Sequence, residues 1–171
     1  MNETNPTAPA AATTASPIAP EPGNLPAAVV AGLLAALVGA VLWALITVQT
    51  KTQIGFMALG VGFLVAWAVR RFGRGQERAY GVIGAVCALL GCVLGNLLSA
   101  CGFLAASQGR SVFDELAPVL GDAGMISRLL QATFDPMDLL FYAIAVYEGF
   151  KLARRPLGAP AAPAATSPGA R

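Results

Sequence analysis

The side chains in this chain that could do chemistry are few and scattered. Asn96 and Glu148 are the strongly polar residues set deep in apolar runs, and Cys87, Cys92 and Cys101 share one such run. The chain has no His, which removes imidazole-based catalysis, the serine and cysteine triads, and the common zinc sites. Cys87 and Cys92 lie about 140° apart around a helix, and Cys101 is too far along it to join them on one metal. All three read as small packing residues. Ser99 and Ser107 have no general base in reach. Gly60-Val61-Gly62 opens like a dinucleotide fingerprint, but it lies inside an apolar run and lacks the third glycine. Gly73-Arg74-Gly75 has neither the strand nor the helix that a phosphate loop needs. No catalytic, cofactor-binding or metal site is therefore expected, and nothing points to nucleic acid.

The two polar residues have different expected roles. Asn96 either contacts a solute or makes an interhelical hydrogen bond, worth about 0.6–2 kcal/mol, and the second role is expected. Glu148 lies inside the last apolar run, where a lone carboxylate costs several kcal/mol. Lys151 and Arg155 fall on roughly its helix face, so an ion pair or interface anchor is expected over a proton relay.

The elements that carry these residues are apolar helices. Apolar residues make up 56% of the chain and charged ones 12%, against about 25% charged in a soluble domain. Four runs are long enough to be spans: residues 27–47, 54–69, 79–107 and 136–153. The first is about 31 Å long as a helix, close to a hydrocarbon core of about 30 Å. Pro26 and Asn24 mark its start, and Trp43 and Trp67 are placed as interfacial aromatics. The second run is short, so Thr52 and Gln53 are expected to extend it and Arg70 and Arg71 to snorkel. Asp135, Pro136 and Asp138 mark the start of the fourth. Residues 108–135 form a connecting loop with two amphipathic stretches, the first opened by Ser111 and Asp114 at capping-box spacing. Residues 1–25 and 156–171 are rich in Ala and Pro and read as flexible tails.

Positive charge orients the chain. The connection after the second run and the C-terminal tail hold eight Lys and Arg, and the opposite side holds Lys51, Arg110 and Arg128. Basic residues favour the cytoplasmic side, so both termini are expected there.

One pattern points to packing. Gly81, Gly84, Ala88, Gly91, Gly95, Ser99, Gly102 and Ala106 recur every three or four residues along the third run, with Gly91 and Gly95 a GxxxG pair. Small side chains let helix backbones approach closely. Gly84, Gly91, Gly95 and Gly102 are the expected helix-packing residues, with a partner helix in the same chain.

The stretches 53–62 (QIGFMALGVG) and 138–151 (DLLFYAIAVYEGFK) resemble a group of small bacterial four-span membrane proteins without an assigned activity. The resemblance extends over residues 27–153 and implies the bacterial inner membrane. The expectation is therefore an all-α integral membrane four-helix bundle in the lipid bilayer, not an enzyme and without cofactors. Its expected role is a structural or accessory subunit that packs with itself or with another membrane protein. The alternative is a small homo-oligomeric transporter or channel, with Asn96 or Glu148 around a shared pore.

Overall fold

The computed structural model describes residues 23–52 and 55–154. Gln53, Arg155 and nearly all of the two expected tails lie outside the described residues. The described residues form six helices and no strand: α1 (Leu25–Thr50), α2 (Met57–Gly73), α3 (Arg78–Gln108), α4 (Val112–Gly121), α5 (Ala123–Thr133) and α6 (Pro136–Ala153).

Local chemistry sets most of the helix ends. Asn24 accepts a hydrogen bond from the Ala27 N–H at 2.9 Å, which satisfies one of the first-turn donors of α1. Ser111 and Asp114 close a capping box on α4, and Asp135 and Asp138 close another on α6, with Pro136 in the first turn. α3 stops at Gly109, whose positive φ of 66° costs glycine little.

α2 departs from the expected span. It begins at Met57, after a turn through Gly55 and Phe56, and runs past Arg70 and Arg71 to Gly73. Thr52 belongs to the bend after α1, so it does not extend α2. The helix gains its extra residues at the basic end, where flexible arginine stems let the charges stay solvated.

α1, α2, α3 and α6 make up the bundle. α2 and α3 pack on each other, and both touch α1 on one side and α6 on the other, while α1 and α6 reach each other through the Trp43 and Tyr142 rings. α4 and α5 pack on each other and on the end of α3. There Leu97 and Cys101 of α3 meet Val119, with Leu116, Ile126 and Leu129 around them.

By length and composition, α1 and α3 can each cross a membrane. The sharply bent pair α5 and α6, turned by 106°, makes a third candidate if taken as one span. This differs from the four expected spans for two reasons. α2 has only 17 residues, about 26 Å, and α6 carries Asp138, Glu148 and Lys151.

The sorting of side chains by size is pronounced. The buried face of α1 is Ala28, Gly32, Ala35, Ala36, Gly39, Ala40, Trp43 and Thr47. Its exposed face carries Leu33, Leu34, Leu37, Val38, Leu42 and Leu45. Small residues inside bring the backbones together, and the large apolar ones are left facing outward.

Candidate functional site

The four glycines singled out on α3 serve several neighbours. A Cβ at Gly84 would meet the Gly149 carbonyl oxygen and Ala153 of α6. One at Gly91 would lie 2.6 Å from Val61 of α2 and 3.2 Å from Ala36 of α1. Gly95 lies under the Trp43 ring, and Gly102 lies under Val48. The matching small residues on α6 are Ala145, Gly149 and Ala153, which the stripe on α3 does not reveal. Their own four-residue spacing is the signal that could have found them. Gly62 of α2 sits against the Ala145 backbone in the same way.

Next to Gly95 the interior becomes polar. Asn96 is 1% exposed, and its Nδ2 donates to the Thr133 hydroxyl at 3.3 Å. The Thr133 hydroxyl donates in turn to the Leu129 carbonyl at 2.9 Å. Asn96 also engages the Tyr142 hydroxyl, which donates to the Cys92 carbonyl at 3.3 Å. One amide thus ties α3 to α5 and α6. The Tyr142 ring stands edge-on to Trp43 at 6.4 Å and to Phe134 at 6.0 Å, a geometry that aromatic quadrupoles favour. Nothing in the local sequence marks Tyr142 or Thr133, because their partners are remote along the chain.

Trp43 corrects an expectation. It is 1% exposed and sits inside the bundle rather than at an interface. The bare backbone at Gly95 leaves a flat bed that its ring fills. Trp43 Nε1 and Thr47 Oγ1, one turn apart on α1, are buried without a hydrogen-bond partner. Trp67, by contrast, is half exposed.

Beside this cluster is a cavity of about 510 Å³, lined by Gly55, Thr133, Phe134, Asp135, Asp138 and Phe141. Asp138 is 5% exposed, and its carboxylate accepts from the Asp135 N–H at 3.1 Å. Thr133 links the cavity wall to Asn96. On the inner side, Trp43, Tyr142, Cys92 and Ala145 belong to one packed cluster.

Glu148 lies elsewhere, half-buried near the other end of α6. Its expected pair with Lys151 does not form. The Lys151 ammonium lies 5.2 Å from the Tyr147 ring centroid, a cation–π contact available to a flexible stem. Asn96 and Glu148 are therefore not brought together. Cys87, Cys92 and Cys101 are buried and free. Among the described residues, no group of three or more His, Cys, Asp and Glu side chains is placed to hold a metal. The polar cluster is thus a neutral hydrogen-bond network between helices, with a polar cavity at its edge.

Comparison with protein families, with curated proteins and with solved structures finds no match to this chain.

Proposed function

We propose that the chain is a four-span integral membrane protein of the bacterial inner membrane, with both termini on the cytoplasmic side. In this reading it serves as a non-enzymatic structural or accessory subunit. The observation that carries the proposal is the inverted sorting of side chains. Leu34, Phe63, Val86 and Leu139, one from each of α1, α2, α3 and α6, are among the large apolar residues left exposed. A soluble bundle would bury such residues at about 25 cal/mol per Å², whereas lipid solvates them without cost. The short α2 fits a span because Arg70 and Arg71 stand at its end and can snorkel. The accessory role rests on the tight packing within the chain, which favours a scaffold over moving parts.

The transporter reading has one observation in its favour, the polar cavity beside Asn96. Against it, the packed cluster of Trp43, Val65, Val69 and Ala88 closes the interior of a single chain.

The test combines extraction with labelling. The chain should stay in membranes washed with alkaline carbonate. In cells, a membrane-impermeant thiol reagent should label Asp122→Cys but not Gln76→Cys, while the buried native cysteines stay silent. Release by carbonate would overturn the integral reading, and reversed labelling would overturn the orientation. Native mass in mild detergent addresses the role. A stoichiometric foreign chain supports an accessory subunit, whereas a closed homo-oligomer that passes ions in liposomes replaces it with the channel.

A further inference from the structure

On the outside of the bundle, a groove of about 460 Å³ follows the seam between α1 and α2. Small residues form its floor: Ala35 and Ala68 are buried, and Ala31 is half-buried. Large, exposed residues form its rims, Leu34 on α1 and Trp67 on α2. The lining contributes almost no polar surface. It extends from Ala27 to Val38 on α1, about 17 Å, close to half of a hydrocarbon core of about 30 Å.

Charge stands just past one end of this groove. The lining on α2 runs through Leu64, Trp67 and Ala68 to Phe72, and Arg71, the chain neighbour of Phe72, follows Leu64 and Ala68 at helical spacing. Arg71 is exposed and makes no ion pair among the described residues. It stands in the basic connection with Arg70, Arg74 and Arg78, where Glu77 is the acid present. The Asn24 N–H donates to the Gly73 carbonyl at 2.7 Å, so the start of α1 is fastened to the same end. An apolar slot of leaflet length with a cation at one end matches an amphiphile with a negative head.

We propose that this groove binds an anionic phospholipid of the leaflet on the basic side, with one acyl chain between α1 and α2 and the phosphate at Arg71. The proposal rests on the membrane-spanning reading. A cationic side chain near a lipid surface changes anionic-lipid binding on the order of 5-fold.

The experiment is native mass spectrometry of the full chain in mild detergent, titrated with phosphatidylglycerol or phosphatidylcholine. Wild type should retain phosphatidylglycerol preferentially. Arg71→Gln should lower that preference on the order of 5-fold, and Arg71→Lys should keep most of it. Ala31→Phe, which fills the slot, should lose both lipids, with a wild-type melting curve showing that it folds. Arg128→Gln, at the other end of the molecule, should behave as wild type. Equal retention of the two lipids by wild type, or unchanged retention by Arg71→Gln and Ala31→Phe, overturns the site. Carbonate release of the chain from membranes overturns instead the spanning reading beneath it.

Discussion

Gly84→Ala is the sharpest test of how the bundle is held together. A Cβ at Gly84 falls against the Gly149 carbonyl oxygen, 2.9 Å from the Ala153 Cβ and 3.0 Å from the Gly149 carbonyl carbon. Carbon pairs are most favourable at about 3.5–4.0 Å, so α3 and α6 must part by roughly 0.5–1 Å. The obstruction is partly the backbone of a second helix, which cannot swing aside as a side chain does. Such overpacking costs about 1–3 kcal/mol. Alanine is also a better helix former than glycine, by about 0.8–1.0 kcal/mol, so the single variant mixes two effects of opposite sign. Gly60→Ala separates them. Gly60 lies in α2, and a Cβ added there would have no neighbour within 4 Å, so its substitution carries the propensity effect alone. The difference between the two variants isolates the packing cost, and Gly84→Ala should be the less stable by about 1–3 kcal/mol. Reversible unfolding in mixed micelles, titrated with a denaturing detergent, measures it. If Gly84→Ala is as stable as Gly60→Ala, the close crossing of α3 and α6 is wrong.

Three further outcomes are expected. The chain has two tryptophans, so Trp67→Phe leaves buried Trp43 as the sole emitter and Trp43→Phe leaves exposed Trp67. Brominated lipids should quench the second strongly and the first weakly, and equal quenching would contradict the burial of Trp43. A double-mutant cycle of Asn96→Ala with Thr133→Val should give a coupling of about 0.6 kcal/mol, with about 1.7 kcal/mol as its ceiling; zero coupling in the same unfolding assay would remove that hydrogen bond. Glu148→Gln should express normally and change stability by less than about 0.5 kcal/mol, as at a position that makes no ion pair among the described residues. A loss above about 2 kcal/mol would instead reveal an ion pair that matters to the fold.

Much of the architecture was legible in the residues because its causes are local. Apolar runs of span length, Asn24 ahead of α1, and the capping boxes at Ser111–Asp114 and Asp135–Asp138 act within a few residues. They mark helices wherever the rest of the chain goes. The stripe of small residues on α3 likewise announced a packing face. Its four-residue spacing could not say that Gly84 would meet α6 while Gly95 lay under Trp43 of α1.

The polar site depended on contacts between distant parts of the chain. Asn96 finds Thr133 37 residues away, and Tyr142 finds the Cys92 carbonyl 50 residues away. Trp43 reads as an interfacial aromatic from its place near the end of an apolar run, and the bare backbone at Gly95 draws it inside. Glu148 reads as an ion pair or interface anchor beside Lys151 and Arg155, and of these Lys151 settles over the Tyr147 ring instead. By itself, then, the amino-acid sequence determined where the apolar helices lie, how they are capped and which faces are smooth. Only the tertiary structure decided which smooth faces meet, which polar groups share an interior, and where a groove opens beside Arg71. Capping and periodicity act over one or two turns, whereas the matching of two helix surfaces depends on residues that only folding brings together.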